Sequence, residues 1–221
     1  MRTLIINFKN YPQALGAGSV KLAKTAAKVA ADLDVEVIVA PPNPMLALVA
    51  SKVEIGVFSQ SVASVVGDKT TGSVLPEAVK GAGATGTILN HSESRLPRIA
   101  IETLVPRLKK LRLDVCLCAR SSTEAASLAG LKTEYIAVEP PALIGSGVAV
   151  STAKPRLVSN TVAAARSAGY RGKILCGAGI VSGDDVRRAV ELGADGVLVA
   201  SSVVKDLNWA AKIRELARSL C

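Results

Sequence analysis

The sequence predicts an α/β protein folded as one closed (β/α)8 barrel spanning residues 1–221, and three observations predict it. Eight short runs rich in β-branched residues are apolar throughout instead of alternating, as parallel strands covered on both faces should be. Longer stretches of helical periodicity separate them. No linker divides the eight units, and 221 residues suit a compact barrel. A doubly wound open sheet is the rival arrangement of the same elements.

In chain order, TLIINF (Thr3–Phe8) precedes a helical pattern over Val20–Leu33. VEVIVA (Val35–Ala40) leads to a short helix at Pro44–Ser51, and EIGVFS (Glu54–Ser59) to another at Pro76–Gly81. TGTILN (Thr85–Asn90) is followed by the helix Pro97–Leu111, and LDVCLC (Leu113–Cys118) by a short one at Thr123–Leu131. YIAVE (Tyr135–Glu139) leads to Thr152–Ala168, KILCG (Lys173–Gly177) to Asp184–Leu192, and DGVLVA (Asp195–Ala200) to Asn208–Leu220. Ser151, Ser182 and Asn208 each stand just ahead of a periodic segment, where a side-chain oxygen can cap exposed backbone N–H groups.

Composition excludes several classes. With 49% apolar and 20% charged residues, the chain can bury a substantial core and is not disordered. No apolar run approaches the ~20 residues that span a bilayer, and the apolar stretch near the N-terminus is too short for a signal-peptide core. We therefore expect a cytoplasmic protein with no membrane partner. The net charge of +9 attracts anions in general. Aromatic residues make up only 3%, and clusters such as Arg107–Arg112 read as solvated helix faces, so nucleic acid is not the expected partner. Cys116 and Cys118 share one strand face, Cys176 lies in another strand and Cys221 ends the chain. Buried thiols are expected, with no disulfide framework and no metal-ligand spacing around the single histidine.

In a barrel of this type, residues at the C-terminal ends of the strands form the active site. That rule selects Asn7 and Lys9 after strand 1, Asn90 and His91 after strand 4, and Glu139 after strand 6. Strand 7 runs into CGAGI (Cys176–Ile180) and strand 8 into VASS (Val199–Ser202), glycine- and serine-rich turns whose backbone N–H groups suit a phosphate. A lone histidine is most often a half-exposed loop residue, and Glu139 alone would read as a cap for the next segment. Together with Lys9 they suit proton abstraction beside a carbonyl, with Glu139 taking the proton and Lys9 and His91 stabilising charge on oxygen. The turn-forming residues after His91 and the nearby Lys9 both disfavour a protonated ring, so His91 should be neutral at pH 7. After Glu139, PPALIGSG (Pro140–Gly147) places an apolar tip between stiff prolines and pliable glycines, as a closing lid requires.

NFKNY at Asn7–Tyr11, NHSESR at Asn90–Arg95, AVEPPALIGSG at Ala137–Gly147, CGAGI at Cys176–Ile180 and GVLVAS at Gly196–Ser201 resemble the triosephosphate isomerase family, most of all its short archaeal branch. The motifs run in order along essentially the whole chain. The resemblance implies a TIM barrel that interconverts dihydroxyacetone phosphate and D-glyceraldehyde 3-phosphate through an enediol(ate), a step of glycolysis and gluconeogenesis. It assigns Lys9 as electrostatic stabiliser paired with Glu93, His91 as neutral electrophile and Glu139 as the proton-shuttling base. Asn7 shapes the site. Phosphate contacts fall on Ile144 and Gly145 in the lid, on Gly179, and on Ala200 and Ser201. No cofactor and no metal are implied. The loop GDKTTGS (Gly67–Ser73) matches the family's interdigitating subunit loop, which implies a homo-oligomer, tetramer favoured over dimer.

Two positions depart from the family pattern. The lid has Pro141–Ala142–Leu143 where most members carry a tryptophan. The turn after strand 8 reads Ala200–Ser201–Ser202 instead of paired glycines, which leaves the backbone donors but adds side chains. The alternatives are another phosphate-binding barrel enzyme, a sugar-phosphate synthase or epimerase, and a basic nucleic-acid-binding module.

Overall fold

The computed structural model describes residues 1–33, 35–67, 69–139 and 155–221. Eight parallel strands close into one barrel in chain order. They are β1 (Thr3–Asn7), β2 (Glu36–Ala40), β3 (Gly56–Ser59), β4 (Gly86–Leu89), β5 (Asp114–Ala119), β6 (Tyr135–Val138), β7 (Lys173–Cys176) and β8 (Gly196–Val199). Closure is made by β1 on β8, from Thr3 opposite Gly196 to Ile6 opposite Val199. That pairing excludes the open doubly wound sheet.

Side chains alternate across each strand. Ile5, Ile38, Phe58, Ile88, Cys116 and Leu198 meet in one cluster that fills the barrel. Their neighbours Leu4, Ile6, Val37, Val39, Val57 and Val197 belong to a second cluster shared with the helices. Both faces are therefore apolar, which is why the strands read as continuous hydrophobic runs. Cys116 and Cys118 share the barrel interior, as expected of residues two apart.

The described α-helices are α1 (Ala17–Ala31), α2 (Leu46–Ala50), α3 (Pro76–Gly81), α4 (Arg98–Lys110), α5 (Ser122–Leu128), α6 (Pro155–Ser167), α7 (Gly183–Glu191), α8 (Ser201–Val204) and α9 (Trp209–Arg218). The first begins at Ala17, earlier than the expected Val20. Gly16 and Gly18 obscured that start, because glycine costs about 1 kcal/mol in a helix relative to alanine. Gly18 is required by close approach: a Cβ there would lie 2.1 Å from the carbonyl oxygen of Gln13. The caps at Ser182 and Asn208 are formed. Ser182 makes a reciprocal capping box with Asp185, and the Asn208 side chain accepts from the N–H of Ala211. Ser151 and the first residues of the helix expected at Thr152 lie outside the described residues.

One expectation needs correction. Cys116, Cys118 and Cys176 are buried, but Cys221 is exposed. It lies beyond α9, outside the packed core that holds the other three.

Candidate active site

The C-terminal ends of β1, β4 and β6 carry Lys9, His91 and Glu139 to the same rim. All three line one pocket together with Gly179, Ala200 and Ser201 from beyond β7 and β8. Asn7 is buried at the end of β1, and its Oδ1 accepts the backbone N–H of Lys9 at 3.0 Å. This bond helps hold Lys9 at a φ of +48°, a left-handed conformation unusual for lysine. From there Lys9 Nζ reaches Glu93 Oε1 at 2.8 Å.

His91 is placed by its neighbour. Asn90 also has a positive φ, +58°, which asparagine tolerates better than most residues. Its side chain ties it to both sides, donating to Cys118 O and accepting from the N–H of Leu96, each at 3.0 Å. The chain then turns, with Ser94 N donating to His91 O at 2.8 Å. The turn does not continue as a helix, because α4 begins only at Arg98, behind Pro97. Within the turn, the N–H of Glu93 donates to His91 Nδ1 at 3.2 Å. A nitrogen that accepts carries no proton, so the single proton of the neutral ring belongs on Nε2. Nε2 lies 3.4 Å from Glu139 Oε1.

Glu139 follows β6, with its N–H bonded to Ala119 O at 2.8 Å. Its carboxylate is only 3% exposed. Among the described residues, its Oε2 has no hydrogen-bond partner. Burying such an oxygen without a partner is costly, so it is available to a ligand's proton. Beside it, the Cys118 thiol is pushed well above its ordinary pKa by its contact with Cys116, by burial and by the charge of Glu139. Cys118 therefore adds no second anion to the site.

On the opposite wall, Gly179 has a φ of +71°. Ala200 caps α8, and its carbonyl accepts from Val203 and Val204. The N–H groups of Ser201 and Ser202 begin that helix and have no acceptor within it. Ile144 and Gly145, with the rest of 140–154, lie outside the described residues. Among the described residues no group of three or more His, Cys, Asp or Glu side chains could hold a metal ion, and no helix is long and apolar enough to cross a membrane.

The sequence marks Asn7, Asn90 and Glu93 near the rim but not the bonds by which they hold these groups in place. The anchoring bonds of Asn90, and those from the side-chain amide of Gln60, just after β3, to Lys9 O and Ala40 O, left no sequence pattern. Tyr11 lines the pocket beside Lys9, and Lys205 packs 4.7 Å over its ring. For Asn90 the available cue was a residue tolerant of left-handed backbone at a strand end.

A barrel with a buried carboxylate facing an imidazole across its C-terminal rim, beside a lysine and backbone donors, has the arrangement of a barrel enzyme whose rim groups can exchange protons with a bound molecule. A family model described as triosephosphate isomerase matches residues 2–216. A triosephosphate isomerase of Caldivirga maquilingensis is 46% identical over 217 residues, covering 98% of this chain and 96% of the relative. Proteins of the same name from Methanocaldococcus jannaschii and Cenarchaeum symbiosum are 40% and 44% identical, each covering at least 97% of both chains. The chain belongs to the triosephosphate isomerase family.

Proposed function

We propose that the chain interconverts dihydroxyacetone phosphate and D-glyceraldehyde 3-phosphate through an enediol(ate). Glu139 removes the proton from the carbon beside the carbonyl and returns it to the neighbouring carbon. His91, neutral, gives its Nε2 proton to the carbonyl oxygen as charge develops there and regains one from the neighbouring hydroxyl as that oxygen becomes the new carbonyl, while Lys9 adds a fixed positive charge. The phosphate rests on backbone N–H groups at Gly179, Ala200 and Ser201, with Ile144 and Gly145 contributing when residues 140–147 close over it. Excluding water would protect the intermediate. The reaction moves protons only, so it calls for neither cofactor nor metal.

The observation that carries this reading is the Glu139 carboxylate, buried, with one oxygen unpartnered among the described residues and the other facing His91. A synthase or epimerase would share the phosphate turns but would not need that pair. The reading extends to a homo-oligomer in the cytoplasm, tetramer favoured over dimer, serving glycolysis and gluconeogenesis. The test is isomerisation of glyceraldehyde 3-phosphate, coupled to glycerol-phosphate dehydrogenase. Steady NADH oxidation is expected. No conversion at micromolar enzyme would overturn the proposal.

A further inference from the structure

We propose that Gln60 is a positioning residue that fixes the main chain of Lys9, and through it the charge that Lys9 presents to the pocket. The inference rests on the isomerase reading above. Gln60 stands at the end of β3, and its side-chain amide donates twice: to Lys9 O at 3.0 Å and to Ala40 O at 3.1 Å. Its own backbone N–H donates to Asn43 Oδ1 at 3.2 Å. Ala40 O, the last carbonyl of β2, also accepts the N–H of Phe8 at 3.0 Å. One amide therefore joins the ends of three adjacent strands at the point where β1 leaves the barrel.

That point is strained. The ladder between β1 and β2 ends with Asn7 opposite Ala40, so Lys9 lies beyond it. A left-handed backbone is unfavourable for a non-glycine residue, because its Cβ crowds the following carbonyl oxygen. Lys9 nonetheless keeps a φ of +48°. Two side chains hold it there, Asn7 at its N–H and Gln60 at its carbonyl. Without Gln60, the carbonyl loses its donor and Lys9 is free to rotate toward an ordinary φ. The long side chain magnifies any such rotation at Nζ, which now sits 2.8 Å from Glu93. Displacing a catalytic group by about 1 Å can cost on the order of 10²-fold in rate.

Gln60 faces a second pocket on this rim with Lys9, His91 and Glu93. Both of its amide protons are engaged by main-chain carbonyls, so it has no donor left for a substrate. It acts through Lys9.

The test is a double-mutant cycle. Gln60→Leu keeps the approximate volume and removes both donors; Gln60→Glu keeps the shape and, when ionised, cannot donate. Each is combined with Lys9→Met, with folding checked by circular dichroism. In the wild-type background either change should lower kcat/KM by about 10–100-fold. In the Lys9→Met background the further loss should be under about twofold, because the group being positioned is already gone. The same cycle is read from the affinity of 2-phosphoglycolate, a phosphorylated carboxylate of matching size, should Lys9→Met be too slow to assay. Gln60 variants that keep more than half of kcat/KM would overturn the inference. So would equal losses in both backgrounds, which would mean that Gln60 supports the barrel generally. An inactive wild-type enzyme would overturn the isomerase reading and this inference together, whereas an active one with indifferent Gln60 variants would overturn this inference alone.

Discussion

His91 Nε2 faces Glu139 Oε1 across 3.4 Å, while the other ring nitrogen, Nδ1, accepts the N–H of Glu93 at 3.2 Å. The two bonding directions assign the proton of the neutral ring to Nε2, on the pocket side. They also connect the end of β4 to the end of β6, with β5 between them. Both side chains are nearly inaccessible to solvent, so their separation is set by packing of the rim.

This geometry predicts one tautomer. Because His91 is the only histidine, ¹⁵N-histidine labelling yields a single pair of ring resonances. At pH 7 they should show Nδ1 unprotonated and Nε2 protonated. A proton on Nδ1, or on both nitrogens, at that pH would exclude the proposed electrophile.

Replacing Glu139 with Gln removes the base and keeps the shape. The phosphate donors are backbone groups on other loops, so binding of a phosphorylated analogue should change little. We expect kcat to fall by ~10²–10⁴-fold with the circular dichroism spectrum intact. Retention of more than about a tenth of the wild-type kcat would remove Glu139 from the role of base.

Gly177 gives Glu139 the room it occupies. A Cβ on Gly177 would lie 2.6 Å from Glu139 Cγ and 3.2 Å from Val138 O, closer to the side chain than carbon atoms approach. Gly177→Ala must therefore shift the carboxylate, and kcat should drop by about 10–100-fold. A kcat within twofold of wild type would show that Glu139 tolerates another position.

At the other end of the barrel, Glu36 accepts hydrogen bonds from Thr3 at 2.5 Å, Lys173 at 2.9 Å and Tyr135 at 3.1 Å. Burial works to raise its pKa, but the bonds from Thr3, Lys173 and Tyr135 and the charge of Lys173 outweigh burial and hold it below 4.5. A carboxylate with a lowered folded pKa stabilises the fold above its unfolded pKa and loses that contribution as pH falls through the folded one. Glu36→Gln should cost about 1–3 kcal/mol at pH 7. That difference should shrink as pH falls below 4.5. Asp114 has the opposite sign: burial first, then the charges of Glu134 and Glu36, raise its pKa. Asp114→Asn should therefore stabilise at pH 7, by less than about 1 kcal/mol. Urea unfolding at pH 7 and pH 3.5 measures both. A Glu36→Gln penalty independent of pH would contradict the assignment.

The loop after β3 presents apolar surface. Val66 is 78% exposed, and Val65 beside it is exposed as well. Arg107 of α4 bonds to Val65 O at 2.6 Å and to Glu77 of α3, fixing the base of the loop. Burial of those valines against another copy would remove them from water. Light scattering at micromolar concentration should report a tetramer. A stable, fully active monomer would overturn that expectation.

The amino-acid sequence by itself determined the elements and the rim. Short-range features wrote both: eight apolar runs required by burial on two faces, caps at Ser182 and Asn208, and chemistry-bearing residues at strand ends such as Lys9, His91 and Glu139. Each depends on neighbours a few residues away, so each leaves a local pattern. Only the tertiary structure decided the closure of Thr3 onto Gly196, the left-handed backbone of Lys9, the hold of Gln60 on Lys9 and Ala40, and the junction of Glu36 with Tyr135 and Lys173. Those pairs are far apart in sequence and meet only because a twisted parallel sheet curls until its first and last strands share hydrogen bonds. A glutamine that grips two distant carbonyls has the same local surroundings in the sequence as one that grips water.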